Sequence, residues 1–76
     1  MMKIKPTNWQ TRVKIFEKYS CVFVRQKGDH LIFHHKRAKR AVVIPKYGEI
    51  PVAIIRNNMN TVGMTRDEYF SILESI

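Results

Sequence analysis

The apolar residues of this chain change from helical to strand-like spacing near residue 20, and that change constrains the fold more than any other feature. Between Asn8 and Tyr19, the residues Trp9, Val13, Phe16 and Tyr19 recur at steps of three and four, with Ile15 beside them. That period lines one side of an α-helix, and Thr7 or Asn8 can cap it by accepting from the free amides of the first turn. Beyond Ser20 the character is that of strands. CVFVRQ (21–26) and HLIFHH (30–35) are β-branched and aromatic runs separated by KGD (27–29), a turn around Gly28, so they pair as a hairpin.

The remaining chain completes and covers that sheet. The basic stretch KRAKR (36–40) forms the next loop, and AVVI (41–44) a third short strand stopped by Pro45. Lys46 to Glu49 turn the chain. Pro51 suits the first turn of a helix, where its missing N–H costs nothing, and Val52, Ile54, Ile55, Met59 and Val62 follow at helical intervals until Gly63. TRDE (65–68) has the form of a capping box and opens a last helix through Tyr69, Phe70, Ile72 and Leu73. The order α-β-β-β-α-α predicts an α+β fold, with a three-stranded antiparallel sheet covered by helices on one face and free on the other. Residues 1–76 are expected to form one domain, with 1–7 as an N-terminal extension.

Charge narrows the partners. Fourteen Lys and Arg stand against six Asp and Glu, a formal charge of +8. Residues 1–20 carry five cations and one acid, residues 21–48 seven and one, and residues 49–76 two and four. The basic surface therefore belongs to the first two thirds, which favours a polyanion, with nucleic acid the first expectation. Cys21 is the single cysteine and has no disulfide partner in the chain, the segment MMKIKPTNW lacks the apolar core of a signal peptide, and no window approaches the run of about 18 apolar residues that a membrane helix needs. A cytoplasmic protein with no membrane association is expected.

Within the hairpin, alternation puts His30, Ile32 and His34 on one face and Leu31, Phe33 and His35 on the other. The second set is the more apolar and is expected beneath the helices, leaving His30 on the open face beside the Gly28 turn. Imidazole titrates near neutrality and can take and return a proton. RNA offers a proton worth taking: a deprotonated 2′-hydroxyl attacks the neighbouring phosphodiester, and Lys or Arg stabilises the charge that grows there. His30 is accordingly the candidate catalytic base or acid. The cations around it, Arg25, Lys27, Lys36, Arg37, Lys39 and Arg40, are the candidate phosphate contacts, and His34 is the candidate second proton carrier. No metal or cofactor is expected. His30, His34, His35 and Cys21 offer ligand atoms, but alternation divides the histidines between faces and no zinc-type spacing occurs.

An N-terminal helix, a strand ending RQKG, a histidine two residues past that glycine, a strand ending HH, then VVIP, then IPVAIIRNNMNTVGMTRDEYFSIL: this succession, over residues 9–74, resembles the HicA-type mRNA interferase toxins. The resemblance implies a double-stranded-RNA-binding-like fold, metal-independent cleavage of mRNA that halts translation, and a HicB-type antitoxin that covers the active face. It puts the family's catalytic histidine on His30, its motif glycine on Gly28, and its strand-end basic residues on Arg25 and Lys27. Two positions depart from the family pattern. Asp29 stands where Ser or Thr is usual, replacing a hydroxyl that can donate to phosphate with a negative charge near the expected RNA path. Ser20 stands where Gly is frequent between the first helix and strand.

Two other functions fit the same residues. One is a non-catalytic RNA-binding module that holds structured RNA by shape and backbone contact. The other is a protein-interaction subunit whose charge serves an acidic partner.

Overall fold

The computed structural model describes residues 3–76, and within them the order α-β-β-β-α-α is realised: α1 (Trp9–Lys18), β1 (Val22–Lys27), β2 (His30–His34), β3 (Val42–Pro45), α2 (Val52–Val62) and α3 (Arg66–Ser75). Local signals set the helix ends. Asn8 caps α1 through its side chain, Oδ1 accepting from the Thr11 amide at 2.8 Å. The box that opens α3 is closed on both sides, with the Glu68 amide donating to Thr65 Oγ1 at 3.1 Å and the Thr65 amide to Glu68 Oε1 at 2.8 Å.

Helices α1 and α2 end in the same way with different residues. At the end of α2, Gly63 has φ +71 and the Met64 amide reaches back to the Met59 carbonyl at 2.9 Å. At the end of α1, Ser20 has φ +72 and the Cys21 amide reaches the Phe16 carbonyl at 2.9 Å. This closure of the last turn asks for a left-handed residue, and Ser20 adopts that conformation against its own preference.

The sheet is antiparallel in the order β1-β2-β3. Strand β3 runs one residue further than the sequence suggests and includes Pro45, paired with His30; an edge strand tolerates the missing N–H. Helices α1 and α2 pack on β3, and α3 packs on α1. Leu31, Phe33, Val42 and Ile44 from the covered face of the sheet join Ile15, Phe16, Ile55, Met59, Val62 and Tyr69 in the core. Full burial of side chains of this size contributes about 1.5–3 kcal/mol each. The helical layer is centred on β3, so β1 overhangs it and all six of its residues are exposed.

The described part of the N-terminal extension is tied to the domain. Ile4 is buried in the core, and the Ile50 amide donates to the Thr7 carbonyl at 2.7 Å. Met1 and Met2, which that extension includes, lie outside the described residues. Among the described residues no helix is long and apolar enough to cross a membrane.

Candidate active site

Two residues decide what the hairpin presents. Gly28 and Asp29 make a two-residue turn between Lys27 and His30, with φ +58 at Gly28 and a negative φ at Asp29. That is the pattern of the turn type whose twist suits a hairpin and whose first position wants glycine. The second deciding residue is Val24. Phe23 pairs with Phe33 and Arg25 with Ile32, so Val24 is bulged out of the ladder. Regular alternation would have set Val24 opposite Ile32 and Arg25 opposite Leu31, on the covered face. The extra residue shifts the register by one and turns Arg25 and Lys27 onto the open face.

The open face therefore carries cross-strand rows. Lys27, His30 and Pro45 form one, Arg25, Ile32 and Val43 the next, and Val22 lies opposite His34 beyond them. His30 is exposed, with Lys27 directly across from it. The covered face takes Leu31, Phe33 and His35, as alternation predicts, and His35 is buried. Its Nδ1 accepts from the Arg37 amide at 3.1 Å and its ring stacks on Tyr19 with centroids 5.4 Å apart.

The predicted residues are not all brought together. Arg25, Lys27 and Gly28 share the His30 end of the hairpin. Lys36, Arg37, Lys39 and Arg40 lie in the loop that follows β2 at its opposite end. His34 is on the correct face, but four residues of strand put it about 13 Å from His30, too far for both rings to act on one phosphodiester. Arg37 is also engaged in holding the helices: its Nη2 donates to the Tyr19 hydroxyl at 3.2 Å, and that hydroxyl donates to Glu68 Oε1 at 3.2 Å. Donation from the Thr65 amide, with smaller help from Tyr19 and Arg37, holds the Glu68 carboxyl below its usual range.

Three residues that the sequence did not mark as part of a site, Trp9, Lys46 and Tyr47, close the His30 end. The Lys46 amide donates to the Asp29 carbonyl at 2.7 Å, the Trp9 amide donates to the Tyr47 carbonyl at 3.1 Å, and Lys46 Nζ lies 5.0 Å from the Trp9 ring centroid. The start of α1, the hairpin turn and the end of β3 thus meet beside His30. An exposed tyrosine directly after a lysine in a short turn was the only local signal. Among the described residues, no three of His, Cys, Asp and Glu come together in a way that could hold a metal ion.

A family model described as HicA toxin of bacterial toxin-antitoxin matches residues 9–64, from the first residue of α1 to just past the end of α2. No curated protein and no solved structure gives a significant match.

Proposed function

The chain belongs to the HicA toxin family of bacterial toxin–antitoxin systems, and on that premise we propose that it is a metal-independent mRNA endoribonuclease whose single toxin domain spans residues 1–76. The observation that carries this is the exposure of His30 on the open face of a basic hairpin, directly opposite Lys27. His30 takes the proton of a ribose 2′-hydroxyl. The freed oxygen attacks the adjacent phosphorus, the bond from phosphorus to the 5′-oxygen breaks, and that oxygen takes a proton from water, leaving a cyclic phosphate and a 5′-hydroxyl; the hydroxide formed takes back the proton held by His30. Lys27 and Arg25 stabilise the negative charge on phosphorus. Gly28 keeps the approach free of a side chain while supplying the left-handed φ of the turn. Lys36, Arg37, Lys39 and Arg40 hold the strand further along, where counterion release makes binding salt-dependent.

The toxin has an antitoxin as its partner. We assign that role to a HicB-type protein that covers the open face, where Val22 and Val43 stand exposed beside the cations. The testing experiment incubates the purified chain with a long RNA in EDTA. Fragments from the wild type and none from folded His30→Ala support the proposal. Full cleavage by His30→Ala overturns the role of His30, and a shifted but uncut RNA identifies a binding module instead.

A further inference from the structure

We infer that Tyr47 is the stacking platform for an unpaired base next to the scissile bond, and that the substrate is therefore single-stranded RNA; this rests on the endoribonuclease reading of His30. Tyr47 lies two residues along from Pro45, the residue paired with His30. Its backbone is held on both sides: the amide closes back on the Pro45 carbonyl at 2.8 Å, and the carbonyl accepts from Trp9. Its Cα therefore stays within about 13 Å of that of His30, allowing two chain steps and one cross-strand spacing.

The backbone of Tyr47 is fixed while its side chain is left available. The residue is 45% exposed. Among the described residues its ring stacks on no other and its hydroxyl has no hydrogen-bond partner. The neighbouring Lys46 side chain is occupied over Trp9, so it does not cover the phenol. An aromatic ring left in water on a tethered turn, next to Lys46 in the chain and at the end of the sheet where Lys27 lies across from His30, matches what unstacked bases use: a flat apolar face near cations that draw in the sugar-phosphate chain. A duplex keeps its bases stacked inside and has none to offer such a ring. The same ring selects which base precedes or follows the cut, because stacking strength differs between purines and pyrimidines.

The test measures cleavage in EDTA of one RNA strand, alone and annealed to its complement, by the full wild-type chain, Tyr47→Phe and Tyr47→Leu. Tyr47→Leu is close in size and keeps a half-exposed apolar side chain, and a thermal melt checks that both variants fold. The expected result is faster cutting of the single strand, a KM near wild type for Tyr47→Phe, and a KM raised about ten-fold for Tyr47→Leu with a smaller change in kcat. Wild-type cleavage with an unchanged KM and unchanged cut sites in Tyr47→Leu overturns the role of Tyr47 and leaves the nuclease standing. Equal cutting of duplex and single strand overturns the substrate class. No cutting by the wild type overturns the nuclease, and this inference with it.

Discussion

Arg12 is fully buried and makes one side-chain hydrogen bond, from Nη1 to the hydroxyl of Tyr69 at 2.8 Å, linking α1 to α3. Its guanidinium lies 5.0 Å from the Phe16 ring centroid and 4.9 Å from that of Tyr69. Nε and Nη2 have no hydrogen-bond partner among the described residues. Burial lowers the pKa of Arg12 from its ordinary value, and the Tyr69 hydroxyl works against that shift. The two aromatic faces attract the cation, but among the described residues no carboxylate compensates for its desolvation.

The two partners are therefore unequal in their effect on stability. Arg12→Met keeps the long apolar stem and removes the buried charge, and is expected to leave unfolding free energy unchanged or to raise it by about 1 kcal/mol. Tyr69→Phe strands the charge without its acceptor and is expected to cost about 3 kcal/mol. In the Arg12→Met background the same Tyr69 change should cost less than about 1 kcal/mol. Urea denaturation of the four proteins in this cycle measures these values, and an Arg12→Met variant weaker than Tyr69→Phe would contradict the account.

Ser20 holds φ +72 where a glycine carries no Cβ penalty. Ser20→Gly is expected to stabilise the protein by about 1 kcal/mol, the strain relieved being partly offset by the freer unfolded chain. Gly63→Ala, at φ +71 with nothing within 4 Å of an added Cβ, should cost about 1 kcal/mol through conformation alone. Thermal melts of both variants check the pair, and a Ser20→Gly protein that melts lower refutes it.

Burial pushes the Cys21 thiol up to about 11, from an ordinary value of 9.0. A folded pKa above the unfolded one means that the unfolded state loses its proton first. The stability tied to the neutral thiol is complete below pH 9 and is lost as pH rises from 9 toward 11. Wild type and Cys21→Ala, unfolded in denaturant at pH 8 and pH 10, should show a stability difference that shifts in favour of the alanine variant at the higher pH. A difference that does not change with pH would show that the thiol ionises equally in both states.

Much of the fold is legible in the residues because the deciding interactions are local. Asn8 and the Thr65–Glu68 box act across three residues, and alternation along β2 depends only on neighbouring positions, so the exposure of His30 and the burial of His35 follow from the order of side chains alone. Arg12 was not legible in this way. It lies three residues after Trp9 and four before Phe16, within the apolar stripe, yet its type argues for water.

Other decisions belong to packing between distant segments. Helices centred on β3 leave Val22, Phe23 and Val24 uncovered, although their composition reads as core. The bulge at Val24 turns Arg25 and Lys27 toward His30, and no strand pattern announces one inserted residue. Trp9 bonds Tyr47, and Asp29 bonds Lys46, only when α1, the hairpin turn and the end of β3 close on one another. The sequence by itself determined the elements, their ends and the face on which His30 stands, since bonds within a turn and period-two alternation need no other part of the chain. Which cations share that histidine's face, and which turn closes on α1 past the end of β3, was decided by the tertiary structure, because register and layer placement are encoded in no single segment.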